Sequence, residues 1–489
     1  MVAKKMVSPQ SPSNKSSEEV ERPMRMKRNT QDEFDFQPST LKITVEYFDR
    51  YEKIARILDE NPQIVELVHR DLNKLLKNAN RRGPGPKCQI TSETVLRMLI
   101  CQVVEGESLR GTVIRIDDSN YLRRFVRIFN GGMIDFSTFC ILKNAIRPKT
   151  WKRINDLLAK AAVEQELIDG EKLRLDTTAV ETNVRWPTDA GLLWDTYRVI
   201  CRLVNTAREL DPACASDQRL QPKRAKRLYS TIARRSGKKG VVSKAAKSLY
   251  TSLIRLVEDL LQWAPSVCER LQAGLGEDDH YRVMVEMLIA EIERFRSLGY
   301  KVLSQARRRV IGGEKVPNDE KIFSIFEPHT ELLKRGKASK PIEFGHMVLI
   351  QQVEGKFITD YRVFEKKPVD HALVDPALAS HEKIFGKNPD EFSADKGFYE
   401  SMGKIKELEE EIDVVSIGKK GSRTEQEAAR EKTKEFRLGQ KFRAGVEGSI
   451  SFLKRILGLW RCMNKGWDHY VSTVGATVFV HNLLVLARA

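Results

Sequence analysis

Three acidic residues occupy places where a carboxylate is either costly or useful. Asp176 interrupts the β-forming run Leu173-Arg-Leu-Asp-Thr-Thr-Ala-Val-Glu-Thr-Asn, where an acid is unfavourable unless it is paired or meets a cation. Asp395 closes Glu391-Phe-Ser-Ala-Asp, ahead of Lys396-Gly-Phe-Tyr, and sites in α/β sheets assemble at the carboxyl ends of strands. Glu447 falls in the helical pattern running from Phe442 to Arg455. There Val446, Ile450, Leu453 and Leu457 form the apolar stripe, while Arg443, Glu447, Ser451 and Lys454 share a neighbouring face. Such a trio would suit two-metal phosphoryl transfer, in which two Mg²⁺ ions about 3.5–4 Å apart clamp the attacking and leaving oxygens. Mg²⁺ takes hard oxygen donors and keeps waters and substrate phosphates in its shell. No cluster of histidine or cysteine competes with that reading. Plainer alternatives stay open. The chain has 67 acids, and a strand-end aspartate is commonly a solvated or capping residue. The Arg443, Glu447, Lys454 pattern could be an ion-pair ladder worth roughly a few tenths of a kcal/mol per pair.

Positioning these residues requires strands and helices in a particular order. Ile54, Ile57, Leu58, Ile64, Leu67 and Val68 recur at helical spacing, and Thr91 or Ser92 can cap a helix through Val95, Leu96, Met98, Leu99 and Val103. Ser108 opens another, and Tyr121–Phe129 and Phe136–Leu157 carry two more. At Leu173 the period changes to alternation, which predicts a strand ending before the Asn183–Pro187 turn. Helical spacing returns from Leu192 to Val310. Strands are predicted at Ile342–Val353 and Lys356–Glu365 around the turn Glu354-Gly355, at Glu391–Asp395 and at Asp413–Ile417, with a helix through Lys404–Glu411 and helices again from Thr424. The predicted architecture is α/β. It has a disordered tail (1–40), a helical N-terminal block (41–165), a catalytic domain in two pieces (166–190 and 320–489) and a basic helical insertion between them (191–319).

The chain has 489 residues with 84 Lys+Arg, a net charge of +17 and a pI near 9.4, which points to a polyanionic partner. A membrane surface is the weaker candidate. The most apolar stretch, Tyr470–Leu486, is short for a span and is interrupted by His481 and Asn482, and the opening residues have no apolar signal region. Seven cysteines without a CxxC pair argue against a zinc site or a disulfide framework and fit a reducing cytosol. Between Arg219 and Lys247 there are eleven Lys/Arg and no acid. This is either a solvated helical face or a grip on nucleic-acid backbone through Lys223, Arg224, Lys226, Arg227, Arg234, Arg235, Lys238 and Lys239. Trp186 is read as core packing, with stacking on an unpaired base as the alternative.

Four of these segments together resemble the DDE transposases of bacterial insertion sequences, in the group around insertion sequence five and its unclassified relatives. Asp176-Thr-Thr-Ala-Val-Glu-Thr-Asn-Val-Arg-Trp-Pro-Thr-Asp resembles the first-aspartate motif. Pro341-Ile-Glu-Phe-Gly-His, after Lys334-Arg-Gly-Lys, is similar to the second strand, and Ala394-Asp-Lys-Gly-Phe-Tyr to the second-aspartate motif. Arg443, Glu447 and Lys454 match the Tyr-x₂-Arg-x₃-Glu-x₆-Lys signature, with Gln440 in place of its tyrosine. Ser92–Leu142 resembles the family's helical N-terminal domain, and 197–316 carries no motif.

The resemblance implies an RNase H-like catalytic core, a mixed sheet flanked by helices. Asp176, Asp395 and Glu447 would be its catalytic residues and its ligands for Mg²⁺, or Mn²⁺ as a substitute. Cleavage at element ends and strand transfer into target would proceed without a nucleotide cofactor, with Arg443 and Lys454 on phosphates. The implied partner is double-stranded DNA, as terminal inverted repeats and target, read by the N-terminal helices. A homodimer is expected in the synaptic complex, no membrane is involved, and the location is cytoplasmic, at the nucleoid. The alternatives are a decayed or domesticated copy that only binds DNA, or an RNase H-like nuclease that cleaves without joining.

Overall fold

The computed structural model describes residues 40–77, 90–129, 132–235, 243–275, 279–334 and 341–488. The expected tail up to residue 39, the basic turn Arg81–Lys87, Lys238, Lys239 and residues 335–337 lie outside the described residues. Among the described residues seven helices come first: α1 (Lys42–Glu60), α2 (Pro62–Lys77), α3 (Ser92–Glu105), α4 (Leu109–Asp117), α5 (Asn120–Phe125), α6 (Phe136–Asn144) and α7 (Pro148–Glu164). Thr91, Ser108, Ser119 and Asp135 cap α3 to α6, each accepting from a backbone N–H of the first turn. The single helix expected over Phe136–Leu157 is two. Arg147 is extended (φ −80°, ψ 158°), as a residue before proline prefers, and Pro148 starts α7. The helix expected to reach Phe129 stops at Phe125, and Arg127 adopts a φ of 60°. Every residue of α3 from Ser92 to Cys101 is buried, so that stretch presents no free face to solvent. Its buried Glu93 and Arg97 pair at 3.1 Å, and Arg97 also reaches Asp59 at 2.9 Å, which offsets their desolvation.

The chain then forms β1 (Lys172–Thr182) and leaves the sheet for α8 (Asp189–Leu210), α9 (Pro222–Arg235), α10 (Lys244–Ala273) and α11 (Asp279–Ala306). It returns as β2 (Glu331–Lys334), β3 (Ile342–Gln352), β4 (Ile358–Val363), α12 (Val374–Phe385), β5 (Glu391–Ala394), α13 (Met402–Glu409) and β6 (Val414–Ile417). The C-terminal part is α14 (Glu425–Arg430), α15 (Lys434–Arg455), β7 (Arg461–Cys462) and α16 (Trp467–Leu486). The departure and return points touch: the hydroxyls of Thr182 and Thr330 are 2.9 Å apart.

The protein is mixed α/β, with helices flanking a seven-stranded mixed sheet. Central β1 runs antiparallel to β3, which pairs antiparallel with β2 and β4. On its other side β1 runs parallel to β5, and β5 to β6, while β7 adds a short parallel bridge at Glu181–Thr182. One hydrophobic core runs continuously from α1–α7 through the sheet to α16, and α8–α11 enclose a second. Helix α16 is the one helix among the described residues long and apolar enough to cross a bilayer, yet 72% of that window is buried inside the fold. Its polar residues have structural work there. Asn482 accepts from Ile358 N at 2.9 Å and donates to its carbonyl at 2.8 Å, completing the edge of β4.

Candidate active site

The register places the two aspartates side by side. Parallel pairing ends at Leu175 opposite Ala394, so Asp176 and Asp395 follow as the next residues on adjacent strands, about 4.8 Å apart along the pairing direction. Asp176 shares its sheet face with Arg174, and this face carries α15, which packs across β1, β5 and β6. Close seating depends on glycine: a Cβ at Gly439 would lie 2.1 Å from Ser416 Oγ. Gln440 donates to the carbonyls of Ala394 and Ser416, tying the helix to the ends of β5 and β6.

Helix α15 carries Arg443 and Glu447 toward Asp176. Arg443 lies 2.9 Å from Glu447 Oε1 and 3.8 Å from Asp176 Oδ2. The Asp176 side chain is only 18% exposed, that of Glu447 63%. Burial pushes the Asp176 carboxyl up to about 6, and the charges of Asp395 and Glu447 push the same way, against the Thr177 N–H and Arg443, which lower it. Asp395 and Glu447 thus both lie near enough to Asp176 for their charges to bear on it. Asp395 is exposed and has no side-chain hydrogen bond or ion pair among the described residues. Lys454 does not project freely: its Nζ donates to the Ala179 carbonyl at 2.5 Å.

The donor set, three carboxylates and no softer ligand, fits a hard divalent cation. As the side chains stand, no three His, Cys, Asp or Glu among the described residues are grouped tightly enough to hold a metal. Arg443 instead stands between Glu447 and Asp176.

Helix α9 presents Lys223, Arg224, Lys226, Arg227, Arg234 and Arg235 to solvent, with Ala225 and Ile232 turned inward. None of the six forms an ion pair among the described residues. Trp186 departs from the core-packing expectation: it is 63% exposed, edge-on to Phe344 at 5.2 Å. It walls a cleft of about 250 Å³ with Arg185, Arg198, Phe323 and Phe326.

The motifs missed the polar floor beneath α15. Arg174, Ser393 and Ser416 are buried there, as are Gln352 and Ser449. One signal was available, the arginine two residues before Asp176 on the same strand face. Compared with family models, curated proteins and solved structures, the chain matches none.

Proposed function

We propose that the protein is a DDE-type transposase with an RNase H-like catalytic core, acting on DNA in the cytoplasm at the nucleoid. The reading rests on one observation: the charges of Asp395, at the end of β5, and of Glu447, on α15, both bear on the carboxyl of Asp176 in β1, which burial raises first. The mixed sheet, antiparallel through β1, β3 and β4 and parallel through β1, β5 and β6, is compatible with that core. Asp176, Asp395 and Glu447 would hold Mg²⁺ or Mn²⁺, which when bound supplies charge neutralisation at the attacking and leaving oxygens of a phosphodiester. Arg443, as a two-pronged donor, would exchange its carboxylate partners for a phosphate. The exposed bases of α9 would hold backbone, and two copies would bring two element ends together.

The test is incubation of the full chain with Mg²⁺ and DNA carrying the flanks of its own reading frame. Nicks at element ends followed by joined products support the reading. Cleavage without joining would make the protein a nuclease. Cleavage that survives loss of any one of the three acids would reject the site. The Arg443 ion pairs with both Asp176 and Glu447 favour a second reading, a DNA-binding protein without chemistry. It predicts end binding in EDTA and no nicking with either metal.

A further inference from the structure

Arg174 lies on β1 two residues before Asp176, and is 5% exposed. A guanidinium buried in a strand is unfavourable unless its donors are satisfied. Here they are satisfied without a carboxylate. Nε and Nη2 donate to Gln352 Oε1 at 2.9 and 2.5 Å, and Nη1 donates to the Phe442 carbonyl at 2.6 Å. Its Cζ lies over the Phe442 ring, 4.5 Å from the ring centre. Gln352 is itself oriented, because its Nε2 donates to the Lys356 carbonyl at 2.8 Å and to Ser449 Oγ at 2.9 Å. β1, the end of β3 and two successive turns of α15 are thereby closed into one hydrogen-bonded loop. Gly445 makes room for it: a Cβ there would sit 2.2 Å from Arg174 Nη1.

The acceptor on α15 is the backbone of the residue preceding Arg443, so this contact fixes the helix itself, both its depth on the sheet and its rotation. We propose that Arg174 is a positioning residue that seats α15 on β1 and so sets how Arg443 and Glu447 face Asp176. Lysine cannot replace it fully, having one donor group where the fork reaches both a strand and a helix. The catalytic consequence rests on the transposase reading above, whereas the seating does not. A displacement of about 1 Å in reacting groups costs on the order of a hundredfold in rate, which sets the scale expected.

The test uses the full chain carrying Arg174→Met, Arg174→Lys or Gly445→Ala. In hydrogen–deuterium exchange, Arg174→Met and Gly445→Ala should speed exchange across 440–450 and leave β5 and β6 unchanged. In Mg²⁺-dependent nicking they should lower kcat about a hundredfold with KM for DNA unchanged, and Arg174→Lys should recover part of the loss. Should Arg174→Met fail to fold, Gly445→Ala decides alone, since the atoms nearest its methyl all belong to the Arg174 guanidinium. Wild-type exchange over 440–450, or an unchanged kcat, overturns the proposal. If the unmodified protein nicks with neither Mg²⁺ nor Mn²⁺, the transposase reading has failed, and exchange alone decides the seating.

Discussion

Beneath α15, polar side chains are buried and bound to one another: Arg174 to Gln352 and the Phe442 carbonyl, Gln352 to Ser449, Ser416 to the Phe436 carbonyl. On α9, six cations stand in solvent with no acid beside them, while the inward face of the same helix is apolar. The first region spends desolvation to fix positions, and the second keeps its charges hydrated and adjustable. Chemistry that depends on distance belongs in the first kind of place, and grip on a polyanion that slides belongs in the second. The contrast also separates what substitutions should do in each region.

The largest expected effect lies beneath α15. Asp176→Ala, Asp395→Ala or Glu447→Ala should each lower Mg²⁺-dependent nicking by about 10³-fold or more while binding to the same DNA, read by mobility shift, changes little. A variant that cuts normally removes that carboxylate from the site. The next effect is on stability. The folded-state pKa of Asp176 is raised to about 6, above its ordinary value of 3.8. Its contribution to folding is therefore fully present below pH 4 and lost as pH rises through 6. Asp176→Asn should stabilise the metal-free protein by on the order of 3 kcal/mol at pH 8 and by nothing at pH 4, in thermal melts with EDTA. Equal Tm shifts at both pH values would mean the carboxyl is not strained.

On α9, replacing Lys223, Arg224, Lys226, Arg227, Arg234 and Arg235 by Gln should weaken binding to every DNA sequence, about a hundredfold near 0.15 M salt. The slope of log K against log salt should flatten by up to about 5. An unchanged slope returns α9 to an ordinary solvated face. The smallest effect belongs to Trp186. Removing a core tryptophan costs about 3–5 kcal/mol, but an exposed one should cost below about 1 kcal/mol in denaturant unfolding. A large loss for Trp186→Ala would place it in a core after all.

How much of this was legible follows the same division. Alternation marked β1, the turn Glu354-Gly355 marked β3 and β4 on either side of it, and short β-forming runs marked β5 and β6. β2 and β7 carry no such signal of their own and form where β3 and β1 offer them an edge. The break at Pro148 was in plain view and was overridden by a continuous apolar pattern. Trp186 was misread because an aromatic residue beside a strand looks like core, and its exposure depends on where the helices of α8–α11 pack. The three acids stood out by context and motif, and the proposed site rests on them. The floor that positions them was not legible, since Ser393, Ser416 and Gln352 are ordinary residues until a helix with glycines settles on top of them.

The hydroxyls of Thr182 and Thr330 bridge the two ends of the excursion that contains α8–α11. An excursion whose ends already meet places little strain on strand register, because closing a longer loop adds cost only logarithmically. It is held besides where Trp186 and Phe323 meet Phe344 of β3 and where Glu327 accepts from Gly466 N. Helices farther from those contacts could change length while the strands beneath keep their register.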